Sequence, residues 1–285
     1  PRGMPLELLF DDAPGPAPLA LAVELGWATL PAPLRATPDL TAEAVRAHPD
    51  ALALIPVAEY ALLQDDYLVL PELAAGGTRG AAAVLRADRR PDEIDRPLVK
   101  LDGASRTTEC LARATLLKFY GITVAVWSRG DAPPDPAGAD AAVERPVVEV
   151  LDGGAALHLQ DEPGTAVVAD LGRAWFILTG LPCVSHLTVA RRDLLAAEPD
   201  AVRALLDALP AALAVAHERR RELRRELSRR YGVSRELLND FYNDQFQTLT
   251  ADAHKAAVAL FARGAWGLNL PTVTRLTTWG VGRGA

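Results

Sequence analysis

Apolar residues fall into two rhythms along the chain. Short unbroken runs read as buried strands: Leu6 to Phe10 (LELLF), Ala51 to Ile55 (ALALI), Leu98 to Asp102 (LVKLD) and Val147 to Leu151 (VVEVL). Ile122 to Trp127, Gly164 to Asp170 and Cys183 to Arg191 read the same way. Between them stand helical stretches. Pro18 to Gly26 is one; Ser105 to Tyr120 (SRTTECLARATLLKFY) is another and opens on hydroxyl residues. Leu116, Leu117 and Phe119 widen the apolar side of that second helix, which predicts deep burial. Pro56 to Tyr60 reads as a loop or short helix, and Gly130 to Pro146 as a mobile surface loop. After Arg191 the pattern turns helical, over Pro199 to Arg230, Ser234 to Phe246 and Thr250 to Ala262. Asp200 or Ser234 would cap such starts and Gly232 would end the helix before it. Strands alternating with helices predict an α/β fold with a mostly parallel sheet. The order also allows two lobes, the chain leaving one and later returning.

The 285 residues are about half apolar, enough for a sizeable core, and carry a formal charge of −7. An acidic chain argues against nucleic acid as a partner. The basic run His217 to Arg230 interleaves Glu218, Glu222 and Glu226 with Arg221, Arg225 and Arg229, which predicts an ion-paired, solvated helix face. No apolar run has membrane-spanning length, so no membrane partner is expected. Pro1 to Phe10 lacks the regions of a signal peptide, which makes the cytoplasm the expected location. Cys110 and Cys183 lie far apart, and the five histidines show no metal-binding spacing. A Walker loop, a Gly-rich dinucleotide turn and a nucleophile elbow are all missing, so nucleotide cofactors and acyl-serine chemistry have no support.

Three stretches carry candidate chemistry. At Asp102 to Glu109 (DGASRTTE) a strand ends, a glycine turns the chain and a helix opens on Ser105, Arg106, Thr107 and Thr108. Unpaired N–H groups, hydroxyls and a guanidinium there would cradle a carboxylate. The plain alternative is a Ser cap with an exposed Arg. At Leu54 to Tyr60 a buried strand ends in Pro56, and Glu59 just beyond would orient a ligand or act as a base, or simply lie at the surface. In Ala155 to Asp161 (AALHLQD), read as a strand, His158 and Gln160 would share one face with Asp161 near the end. Asp170 to Trp175 reads as a turn with an anchoring aromatic.

Taken in order, LALIPVAEY (Leu52 to Tyr60), SRTT (Ser105 to Thr108) and DLGRAWFILTGLPCV (Asp170 to Val184) resemble the chorismate dehydratases of menaquinone biosynthesis. AALHLQD is a weaker match, and Phe241 to Asn269 resembles that family's last helices. The resemblance implies an α/β, two-lobed periplasmic binding protein type 2-like fold with the ligand cleft between lobes. It implies a first lobe of residues 1–80 plus 189–285 and a second of 81–188. It also implies loss of water from chorismate, giving 3-[(1-carboxyvinyl)oxy]benzoate in the futalosine route, without metal or organic cofactor. Pro56, Val57 and Ser105 to Thr108 would bind substrate; Glu59, Asp161 or a carboxylate of the substrate itself would be the base.

The chain departs from that pattern. Gly15 stands where the family has Asn, Val57 where it has a small polar residue, and Gln160 where it has Gly. Gly80 to Val84 lacks a usual Ser, and Thr108 replaces a Ser while keeping the hydroxyl. The sister family, which makes 1,4-dihydroxy-6-naphthoate, places a His next to the acid of the Leu157 to Asp161 segment; here that neighbour is Gln160. A small-carboxylate-binding protein on the same fold is a further alternative.

Overall fold

The computed structural model describes residues 6–38, 40–130 and 145–280. Most of the Gly130 to Pro146 stretch therefore lies outside the described residues. Two sheets carry the fold. The first is built from β1 (Glu7–Asp11), β2 (Leu34–Thr37), β3 (Ala51–Pro56), β4 (Tyr67–Gly77), β10 (Cys183–Arg191) and β11 (Gln245–Phe246). Their order across the sheet is β11-β4-β10-β3-β1-β2. The second holds β5 (Ala83–Ala87), β6 (Leu98–Gly103), β7 (Val126–Ser128), β8 (Val147–Asp152) and β9 (Val167–Asp170), in the order β7-β6-β8-β5-β9. β3 is buried at every position, as its unbroken apolar run predicts.

Each sheet is mixed rather than mostly parallel. β2, β1 and β3 run parallel, as do β7, β6 and β8. The strands next to the lobe crossings, β4 with β10 and β5 with β9, run antiparallel to their neighbours. β10 pairs with the first sheet from Cys183 onward, so position 189 lies inside a strand of the first lobe.

Helices cover the sheets: α1 (Ala17–Glu24), α2 (Ala42–Arg46), α3 (Tyr60–Leu63), α4 (Arg106–Thr115), α5 (Gly153–Asp161) and α6 (Leu171–Thr179). The C-terminal third gives α7 (Arg192–Ala197), α8 (Pro199–Glu218), α9 (Arg220–Tyr231), α10 (Arg235–Asp244) and α11 (Ala251–Gly264). Ser234 caps α10, and Gly232 ends α9 in the left-handed region at φ +64.

Three expectations fail locally. The helix expected over Ser105 to Tyr120 ends at Thr115, and Leu117 and Phe119 beyond it are exposed rather than buried. Ala155 to Asp161 is part of helix α5, not a strand. Gly153, at φ +62, turns the chain out of β8, and the Ala-rich segment that follows favours a helix. Within Ile122 to Trp127 only Val126 and Trp127 join a strand, while Ile122 packs into the main core. The Asp170 to Trp175 turn is the start of α6: Asp170 accepts the Arg173 N–H, and buried Trp175 donates to the Pro182 carbonyl.

The lobes are locked along one side by α4 and α11. A methyl group at Gly264 would meet the Cys110 carbonyl oxygen at 2.0 Å, so the two helices touch backbone to backbone. Beside them Arg113 stacks on Trp127 of the second lobe and on Trp266 of the first, 4.2 and 5.0 Å from the ring centres.

Candidate functional site

Ligands in α/β folds lie beyond the carboxyl ends of the parallel strands. Here four such ends converge: Asp11 of β1, Pro56 of β3, Gly103 of β6 and Asp152 of β8. Between them is a cleft of about 650 Å³, lined from both lobes.

One wall is the start of α4. Ser105 caps it, its hydroxyl accepting the Thr108 N–H at 3.2 Å. Asp152 already occupies part of this start. Its Oδ2 accepts the Ser105 N–H at 2.8 Å and the Thr108 hydroxyl at 2.7 Å. Thr107 turns the other way, its hydroxyl accepting the buried Ala58 N–H of the first lobe at 2.9 Å. What remains for a ligand is the Arg106 guanidinium and the first N–H groups of the helix.

Glu59 lies buried beneath Arg106. Its Oε1 accepts from the guanidinium at 2.5 Å and its Oε2 from the Ala42 N–H at 2.8 Å. Both oxygens are thus engaged in holding Arg106 and the head of α2. Pro56 lines the cleft, and buried Val57 opens the short turn that carries Glu59. Asp161 lies outside the cleft, its carboxylate accepting from the Ser234 N–H and hydroxyl. His158 is exposed on α5, also away from the cleft.

The opposite wall belongs to β10 and has no local signal in the sequence. His186 Nε2 meets Asp11 Oδ2 at 3.1 Å, and His186 Nδ1 meets Ser185 Oγ at 2.9 Å. Burial pushes the Asp11 carboxyl up. The hydrogen bond and charge of His186, with the Leu40 N–H, outweigh it and hold Asp11 below the usual carboxylate range. Gly15 makes room for this pair, since a methyl group there would lie 3.3 Å from Ser185 Oγ and 3.6 Å from His186 Nδ1. Nearby, Gln245 lines the cleft with a buried Nε2 that has no partner among the described residues. Such a donor is costly until a ligand satisfies it.

Residues 28–265 match the model of the menaquinone-biosynthesis family. The chain belongs to that family. Its role therefore lies in menaquinone biosynthesis, and it is an enzymatic one. Solved structures with the same fold are distant in sequence. The Archaeoglobus fulgidus protein AF1704 is 18% identical, with 92% of this chain and 98% of that chain covered and a TM-score of 0.65. The alkanesulfonate-binding protein SsuA from Xanthomonas axonopodis pv. citri, bound to MOPS, is 16% identical over 96% and 97%, with a TM-score of 0.64. The Candida albicans CA3427 product, described as having the generic periplasmic binding protein fold, is 11% identical over 90% of each chain, with a TM-score of 0.60. These likenesses establish a two-lobed periplasmic binding protein fold for this menaquinone-biosynthesis protein.

Proposed function

We propose that the chain is a chorismate dehydratase, releasing water and 3-[(1-carboxyvinyl)oxy]benzoate. The observation that carries this reading is the paired polar cleft, with Arg106 and the head of α4 on one wall and Ser185, His186 and Gln245 on the other. Chorismate carries two carboxylates and a ring hydroxyl, so it suits donors on both walls. Loss of the hydroxyl and a neighbouring ring proton makes the ring aromatic. The protein then has to orient the substrate, take the proton and help the hydroxide depart.

Arg106, fixed by Glu59, takes one carboxylate. Asp152 takes the ring proton: its Oδ2 is held by two donors, while its Oδ1 has no partner among the described residues. The C–H electrons become ring π electrons as the C–O bond breaks. The sister reading, a 1,4-dihydroxy-6-naphthoate synthase, is favoured by one observation, the acid-paired His186 in the cleft. That pair comes from β1 and β10, however, and not from the α5 segment of the weaker match.

Purified protein incubated with chorismate, followed by ultraviolet absorbance and mass, tests the reading. A product lighter by one water, formed only with protein, is expected. Saturable binding of an aromatic carboxylate without such a product would overturn it in favour of a binding protein. Turnover of the cyclic futalosine derivative instead would favour the sister enzyme.

A further inference from the structure

Neighbouring side chains on a strand normally point to opposite faces. Ser185 and His186 both line the cleft because β10 is irregular between Val184 and His186 against β4, and such a bulge re-aims side chains. The hydrogen bonds then decide where the protons sit. Ser185 donates its hydroxyl to the Ala75 carbonyl at 3.0 Å. With that proton so placed, its oxygen is left to accept from His186 Nδ1, 2.9 Å away. Asp11 is an ionised carboxylate and can only accept, so His186 Nε2 must also donate. A proton on each ring nitrogen would satisfy both partners and make His186 an imidazolium. The residues in register beside it, Pro56 on β3 and Ala75 on β4, carry no charge, and among the described residues Asp11 is the ion-pair partner of the ring.

We propose that Asp11, His186 and Ser185 form a proton-donating relay that opens on the cleft and protonates the oxygen leaving the ligand. The relay rests on the dehydratase reading for the reaction it serves. As the ring C–O bond breaks, the Ser185 hydroxyl turns from the Ala75 carbonyl to the departing hydroxide, which takes its proton and leaves as water. Ser185 oxygen takes the Nδ1 proton of His186, which ends as neutral imidazole still donating Nε2–H to Asp11. The ring proton passes separately to Asp152, and proton exchange with solvent resets both groups after product leaves. Ser185 is the catalytic residue here; His186 acts through it and Asp11 holds the ring in place.

The test combines turnover with nitrogen-edited NMR of the histidine rings. Ser185→Ala should lower kcat by about 100-fold or more, the range for a lost general acid, with KM little changed. Ser185→Thr, which keeps a hydroxyl, should restore most of the rate. Adding His186→Gln to Ser185→Ala should cost little more, because the residues act as a unit. In the wild-type protein at pH 7 the ring signals that vanish in His186→Gln should show both nitrogens protonated. Chorismate turnover by Ser185→Ala within threefold of wild type would overturn the proposal, as would a neutral His186 ring. If wild type turns over no chorismate, the dehydratase reading falls. The relay is then judged by the ring alone: doubly protonated upholds it, neutral ends it.

Discussion

The Glu59 carboxylate and the Arg106 guanidinium meet at 2.5 Å across the cleft, one from each lobe. The acid is nearly buried while the guanidinium keeps 37% of its side-chain surface in water. That asymmetry suits a device in which the carboxylate aims the guanidinium at a ligand. Glu59→Gln keeps an acceptor for Ala42 but removes the charge that fixes Arg106. Stability should fall by about 1–3 kcal/mol, below the cost of breaking a fully buried pair because Arg106 stays partly solvated. Affinity for an aromatic carboxylate should fall by about tenfold. Thermal melting and calorimetric titration check the two effects, and unchanged affinity would show that Glu59 does not position Arg106 for a carboxylate.

Asp152 separates binding from chemistry. Asp152→Asn leaves an acceptor for the Ser105 N–H and Thr108 hydroxyl but no proton acceptor for the ring. Chorismate turnover should fall by about 100-fold or more, in line with loss of a general base. Substrate affinity should hold or rise, since a negative charge beside the incoming carboxylate is gone. Turnover within a few-fold of wild type would assign the base to the substrate's own carboxylate.

Asp161 gives the control. It reaches Ser234 at the head of α10, outside the cleft. Asp161→Asn should leave turnover within twofold of wild type and lower stability by about 0.5–1.5 kcal/mol, the usual worth of such hydrogen bonds. A large loss of kcat with normal stability would bring this residue back into the site.

The contrast between Asp161 and Asp11 shows what a sequence reveals of this molecule. The buried runs announced β1 and β3, and Ser105 announced the cap of α4, because those signals are local. Arg106 and Glu59 both stand out locally in the sequence, though their spacing of 47 residues hides that they bind each other. Asp161 ends a segment whose short alternation reads as a strand, while its Ala-rich helix propensity wins in the fold. The relay stayed hidden for two reasons. Asp11 and His186 are 175 residues apart, and a bulge in β10 breaks the alternation that would have sent Ser185 and His186 to opposite faces.

Gly264 tests the lobe contact. Its missing side chain lets α11 lie on the Cys110 carbonyl, and the obstacle to a methyl group is backbone, which cannot swing aside. Gly264→Ala should cost about 1–3 kcal/mol, as overpacking does, despite the better helix propensity of Ala. Urea unfolding measures it. A stabilised variant would mean that α4 and α11 part easily and that the lobes are hinged on this side.

Asp170 should make stability depend on pH around neutrality. Burial pushes its carboxyl up to about 6, against the N–H bonds of Arg173, Ala81 and Gly172, and the charge of Asp244 adds to the rise. The site lies at the first lobe crossing, where Asp244 accepts the Arg79 and Gly80 N–H groups and Asp170 accepts that of Ala81. The folded chain therefore binds this proton more tightly than the unfolded chain, whose carboxyl titrates near 3.8. The stabilisation is fully present below about pH 4 and is lost as pH rises through about 6. Its full size is about 3 kcal/mol from the size of the shift. Asp11 carries the opposite sign, but its effect sets in only as pH falls below the ordinary carboxylate range, outside the window from 5 to 7.5. Denaturant unfolding at pH 5, 6 and 7.5 should show the wild type losing stability across that range relative to Asp170→Asn, which can still cap α6 but cannot titrate. Parallel curves for the two proteins would show that Asp170 keeps an ordinary carboxyl, and that solvent reaches the crossing between the lobes.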